Sequence, residues 1–248
     1  MGLDLTVFLI SCGEPDYEAS KRALMGQDVD FVLKEIRDVT PMSSAFQKML
    51  DECETKWFVQ VDADMILRPC AVREMHETAE SATEDSGKIG FFVFPILDSH
   101  LGFNIQGVKI YRHGVMVNFP YRDVYSCEVD QIQRMQSAGF RHIAIQPELL
   151  LKRTSGFPVM GTHSPTWTPD RIFNRYKRLM QKHRRFGYEW VRDLPKEFLS
   201  RALNTRDETE IWAFLGAVTG LTGDLDADQE DNRSSVDKDF DTLREYLR

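Results

Sequence analysis

Two aspartates separated by one residue close a hydrophobic run, Val59-Gln60-Val61-Asp62-Ala63-Asp64. If that run is a strand, both carboxylates emerge at its carboxyl end. Hard cations such as Mg2+ and Mn2+ take oxygen ligands, commonly one or two carboxylates with substrate phosphates completing the shell. The pair therefore points to a metal–diphosphate site. Alone, such a triplet also caps helices and decorates turns, so its meaning depends on the elements that carry it.

Those elements can be read from the apolar pattern. Residues 5–10 form a continuous β-branched and aromatic run ended by Ser11-Cys12-Gly13, which predicts a buried strand and a loop. A helix over 17–26, a strand over 31–37, a helix over 43–54 and a strand over 56–61 follow, the last running into Asp62. A βαβαβ beginning implies an α/β fold with a mainly parallel central sheet flanked by helices, whose ligands lie beyond the carboxyl ends of the strands. The site is then expected near Ser11, Asp38 and Asp62.

Further along, the pattern predicts a helix over 69–82 and a strand over 89–95. It then predicts a hairpin of 104–112 with 115–119 around His113-Gly114, a helix over 128–138 and a strand over 141–146. From Pro169 the chain reads as helical, over 169–185, 188–203 and 208–218.

In that context residues 57–69, with Asp62-Ala63-Asp64-Met65 followed by Ile66-Leu67 and Pro69, resemble the metal-binding strand of GT-A-fold glycosyltransferases, especially the family-2-like enzymes. The first strand with Ser11-Cys12-Gly13-Glu14-Pro15, the helix ending Leu24-Met25-Gly26-Gln27, Ile36-Arg37-Asp38, and Ser44-Ala45-Phe46-Gln47 are similar to that family's segments, with Gln47 where asparagine is commoner. The likeness covers about residues 3–185.

The resemblance implies a nucleoside held by Asp38 and the loop from Ser11 to Glu14, Asp62 near the ribose or metal, and Asp64 as a direct ligand of Mn2+ or Mg2+. A turn residue before Pro41 is the other reading of Asp38, and a solvated loop acid that of Glu14. Cys127-Glu128-Val129-Asp130, with Arg134 and Gly139-Phe140 after it, resembles the family segment that supplies the base. There a carboxylate in the first turn of a helix takes the proton of the acceptor hydroxyl. Glu128 is the candidate base, but this chain has Cys127-Glu128 where the family carries an acidic pair, so Asp130 remains a rival. His163 falls where many members place a metal-ligating histidine, and imidazole suits Mn2+ better than Mg2+.

Composition bounds these expectations. With 42% hydrophobic and 28% charged residues among 248, the chain reads as globular, and no apolar stretch approaches the roughly 20 residues that span a bilayer. The net charge of −8 argues against nucleic acid as a partner, and the four scattered cysteines read as reduced thiols. Because no basic segment precedes the short first apolar run, a cytoplasmic location is expected. Arg171, Arg175, Arg178, Lys182 and Arg185 recur at four, three, four and three residues as a cationic stripe. It is either a solvated face or a peripheral contact with the inner face of a membrane, where lipid-linked acceptors reside.

The expected organisation is a catalytic domain over 1–168, divided near residue 98 into nucleotide-sugar and acceptor halves. A helical region over 169–220, an acidic linker over 221–235 and a terminal amphipathic helix over 236–248 follow. The expected function is metal-dependent transfer of a sugar from a nucleotide-diphosphate donor, UDP-linked by the resemblance, to a hydroxyl of a glycan or lipid-linked acceptor, with inversion. Two alternatives stand beside it. A sugar nucleotidyltransferase needs an Arg-containing, Gly-rich loop that residues 11–16 lack, and a non-catalytic scaffold would account for the Cys127-Glu128 departure.

Overall fold

The computed structural model describes residues 2–82, 88–151, 159–163, 166–223 and 244–245. The chain divides into two compact units, Met1–Thr166 and Trp167–Arg248.

The first unit is built on β1 (Leu5–Ser11), α1 (Tyr17–Met25), β2 (Val32–Arg37), α2 (Met42–Glu52) and β3 (Trp57–Asp62). After them come β4 (Met65–Leu67), α3 (Ala71–Ser81), β5 (Ile89–Asp98), β6 (Phe103–Arg112), α4 (His113–Met116), α5 (Cys127–Ser137), β7 (Arg141–Ala144) and β8 (Gly161–His163). The strands form one sheet in the order β2-β1-β3-β6-β5-β8-β4, with β7 also paired to β5. Strands β2, β1 and β3 are parallel, as are β5 with β7 and β8, while β6 and β4 run antiparallel to their neighbours.

Period-two alternation divides the core between the two faces of this sheet. Trp57, Val59 and Val61 pack with Leu5, Val7, Leu9, Phe92 and Ile110 on one face. Phe58 lies on the other face with Phe8, Ile10, Phe91, Tyr111 and the buried sides of α2 and α5. The same alternation sends Gln60 and Asp62 toward the second face, so a strand that is apolar for most of its length delivers a carboxylate at its tip. Gln27 ties the flanking helices together: its amide donates to the carbonyls of Ala23 and Arg68 and accepts the Val72 N–H that opens α3.

Two expectations fail in this unit. No hairpin turns at His113-Gly114, where the chain forms α4; the hairpin joins β5 to β6 through residues 99–102. The proline that was expected to end the strand at 95 is accommodated instead by a register shift between Val93 and Pro95, since an irregularity frees proline from the ladder hydrogen bond it cannot donate. The three-residue strands β4 and β8 were not expected at all.

In the second unit α6 (Pro169–Phe186), α7 (Leu194–Thr205) and α8 (Glu208–Thr222) enclose Ile172, Phe173, Tyr176, Met180, Phe198 and Trp212. The helix predicted over 188–203 is two pieces, a 3-10 turn at Glu189–Val191 and α7, which opens with Pro195 in its first turn. Gly216 and Gly220 let α8 approach α6 closely, because a Cβ at either would lie 2.2 Å from the carbonyl oxygen of Phe173 or Lys177. The cations of the α6 stripe are half-buried, and the Arg175 guanidinium rests 4.8 Å from the Trp167 ring centroid. α8 runs two residues into the segment read as a linker, and nearly all of 236–248 lies outside the described residues. Among the described residues no helix is long and apolar enough to cross a membrane.

Candidate functional site

Parallel register brings the tips of β1, β2 and β3 together. Ser11 pairs with Arg37 and Ile10 with Asp62, while the Ala63 N–H donates to the Ile10 carbonyl at 2.9 Å and fixes the turn between Asp62 and Asp64. Next to it the loop after β1 is held by its own side chains. Glu14 accepts from the Ser11 hydroxyl and the Cys12 N–H, both at 2.8 Å, and the Gly13 N–H donates to Ser11 Oγ at 3.1 Å. Gly13 has φ +90°, which favours glycine. Asp38 sits just past β2 with φ 55° and donates its N–H to the Ser11 carbonyl at 2.8 Å. Ser11 is buried and Asp38 exposed, so the first shapes the loop and the second presents its carboxylate to solvent beside it.

On the second face of the sheet a polar chain runs toward the strand tip. The Tyr111 hydroxyl donates to Gln60 Oε1 at 3.1 Å, and the Gln60 amide donates to Asp62 Oδ1 at 3.2 Å. Burial, then the charges of Asp64 and Glu128, push the Asp62 carboxyl up to about 7, against the Gln60 hydrogen bond and the charge of Lys109. Lys109 lies opposite Gln60 in the β3–β6 register and donates to Glu128 Oε1 at 2.6 Å. Burial alone would discharge this ammonium, but the carboxylates of Glu128 and Asp62 outweigh it and raise its pKa. Asp62, Lys109 and Glu128 thus form one electrostatic cluster. Asp130, two residues on in the same first turn of α5, is instead held by Arg134 at 2.8 Å with Arg122 at 3.7 Å.

His163 reaches the site from the far side of the sheet. Its strand β8 is wedged between β4 and β5, so that His163 pairs with Met65 on one side and Asp98 on the other. Its Nε2 lies 3.6 Å from Asp64 Oδ1 and its Nδ1 2.9 Å from Asp98 Oδ2. Gly161 permits this wedge, since a Cβ there would meet the Ile66 carbonyl oxygen at 2.2 Å.

Among the described residues no group of three or more His, Cys, Asp or Glu side chains is arranged to enclose a metal ion. Asp64 and His163 offer one oxygen and one nitrogen donor on a shared side. This set fits a cation that retains waters and takes phosphate oxygens, and the nitrogen donor suits Mn2+. No sequence motif pairs Lys109 with Glu128, and none singles out Asp98. A lysine on a strand flanked by buried apolar residues, Val108 and Ile110, was the available signal for the first.

No protein-family model matches the chain, and no curated protein matches its sequence. Its fold is similar to solved glycosyltransferase structures. The mannosyltransferase PcManGT from Pyrobaculum calidifontis, in complex with GDP-Man and Mn2+, is 10% identical with a TM-score of 0.49, over 100% of this chain and 80% of that one. TarS 1-349 from S. aureus is 10% identical with a TM-score of 0.44, over 88% and 90%. Glucosyl-3-phosphoglycerate synthase from Mycobacterium tuberculosis, in complex with Mn2+, UDP and phosphoglyceric acid, is 12% identical with a TM-score of 0.40, over 56% and 66%.

Proposed function

We propose that the protein is a metal-dependent glycosyltransferase that moves a sugar from a nucleotide-diphosphate donor, a UDP-sugar first among the candidates, to a hydroxyl of a glycan or lipid-linked acceptor with inversion. The observation that carries the reading is the convergence of Asp62, Asp64, His163 and the Lys109–Glu128 pair at the tip of β3.

In this reading Asp64 and His163 hold the cation, Mn2+ rather than Mg2+, and Asp62 lies beside it or the ribose. The cation, when bound, neutralises charge that develops on the departing diphosphate. Asp38 and the loop from Ser11 to Glu14 receive the nucleoside, the loop by its shape and Asp38 by its exposed carboxylate. Glu128 takes the proton of the acceptor hydroxyl as that oxygen bonds to the anomeric carbon and the carbon–oxygen bond to the diphosphate breaks. Lys109 holds the Glu128 carboxylate in place through the hydrogen bond to Oε1. The half-buried cations of α6 are a candidate peripheral contact with an anionic membrane that carries the acceptor.

Calorimetric titration of the full chain with Mn2+ and a panel of nucleotide sugars tests the reading. A Mn2+-dependent response to one nucleotide, lost in Asp64→Ala with the fold retained, is the expected result. No response to any nucleotide, with Asp64→Ala indistinguishable from the parent, would overturn it. Release of pyrophosphate rather than a nucleoside diphosphate would reassign the chain as a nucleotidyltransferase.

A further inference from the structure

Asp98 ends β5 and is fully buried, yet the reading above gives it no part. Its two oxygens are divided between two tasks. Oδ1 accepts the backbone N–H groups of His100 at 3.1 Å and Leu101 at 2.8 Å, which make the corner between β5 and β6. Oδ2 lies 2.9 Å from His163 Nδ1. The other nitrogen of the same ring, Nε2, is the atom that lies 3.6 Å from Asp64 Oδ1.

The geometry points to Asp98 as a positioning residue that fixes His163 in the Nδ1–H form and turns the Nε2 lone pair toward a divalent cation shared with Asp64. The inference rests on the metal site proposed above and deepens it. Oδ1 accepts two backbone N–H groups and Oδ2 faces a ring nitrogen, the arrangement of a carboxylate that accepts at both oxygens, so the proton between Oδ2 and Nδ1 is assigned to the ring. A neutral imidazole carries one N–H, which leaves Nε2 as the ligating atom. The separation of 3.6 Å between Nε2 and Asp64 Oδ1 is too long for a hydrogen bond. It suits two ligands each about 2.1 Å from one ion, which lie about 3 Å apart at a right angle and farther as the angle opens. Carboxylate–histidine–metal relays of this kind typically contribute about 10- to 100-fold in metal affinity.

Asp98→Asn tests this through the tautomer. The hairpin corner still requires an acceptor for two N–H groups, so the amide oxygen stays there and the amide NH2 faces Nδ1. The ring must then accept at Nδ1 and carry its proton on Nε2, the ligating atom. Long-range 1H–15N spectra of the metal-free full chain, with the His163 signals assigned by loss in His163→Gln, should show Nδ1–H in the parent and Nε2–H in Asp98→Asn. Titration with Mn2+ followed by electron paramagnetic resonance, with and without UDP, should show affinity roughly 10- to 100-fold weaker in Asp98→Asn. In a His163→Gln background the same change should cost nothing further.

A parent ring protonated on Nε2, or on both nitrogens at neutral pH, overturns the inference even if Asp98→Asn fails to fold. Undiminished Mn2+ affinity in a folded Asp98→Asn overturns it while leaving the metal site intact. No Mn2+ uptake by the parent, alone or with UDP, overturns the metal site and the inference together.

Discussion

Lys109 Nζ lies 2.6 Å from Glu128 Oε1, joining the middle of the sheet to the first turn of α5. The side chains are 19% and 27% exposed, so neither charge is fully hydrated. Removing the ammonium takes a counter-charge from a half-buried carboxylate that also feels the charge of Asp62. Lys109→Met should destabilise the protein by about 1–3 kcal/mol, and adding Glu128→Gln should restore part of that loss. Urea unfolding of the four proteins in a double-mutant cycle measures the coupling, expected at about 1–2 kcal/mol; additive effects would show that the contact contributes nothing.

The two acids of α5 should separate in activity. Glu128→Gln removes the proposed base and should lower kcat by about 10²- to 10⁴-fold with donor binding retained. Asp130→Asn only loosens a carboxylate already held by Arg134 and Arg122, so its kcat should change by less than about tenfold. Steady-state rates with the nucleotide sugar found by calorimetry decide between them, and the reverse order would make Asp130 the base.

Asp62 gives the metal-free protein a distinctive pH dependence. Its folded pKa of about 7 exceeds the ordinary value of 3.8, so the folded state holds a proton that the unfolded state has released. Stability from this group is complete below the ordinary value and is lost as pH rises through about 7. Asp62→Asn, which mimics the neutral acid and keeps an acceptor for Gln60, should melt a few degrees above the parent at pH 8, with the difference shrinking toward pH 4. Scanning calorimetry across that range is the check; a constant difference would mean that Asp62 does not carry the shift.

Gly161→Ala should act on stability and site together. The added methyl would lie 2.2 Å from the Ile66 carbonyl oxygen, so β8 must move away from β4 and carry His163 with it. The expected cost is about 1–3 kcal/mol, with weaker Mn2+ uptake than thermal destabilisation alone explains. Retained stability and uptake would show that the β4–β8 approach is not needed.

The parts legible in the sequence are those that announce themselves locally. Continuous apolar runs revealed β1 and β3, and the helical spacing between them supplied α1 and α2, so the neighbourhood of Ser11, Asp38 and Asp62 could be located before any coordinates. Strands β4 and β8 are too short for any periodicity, and the relation of His163 to Asp64 depends on both. A strand that stops at Pro95 hides the continuation of β5 to Asp98 and displaces the hairpin to His113-Gly114. Asp98 itself, beside Ser99 and His100, has the composition of a solvated turn. Its complete burial follows from what packs over it, which no local pattern encodes.

The wedge of β8 between β4 and β5 also has a consequence in time. Asp64 and His163 are separated by almost a hundred residues, which at roughly 5–20 residues per second takes a ribosome about 5–20 s to add. The β1–α1–β2–α2–β3 crossover can assemble from nearby segments during that interval, whereas the imidazole cannot join Asp64 until residue 163 has left the exit tunnel. The nascent chain therefore passes through a stage in which the aspartates stand without their nitrogen donor, and closure of the pair comes late in the assembly of this sheet.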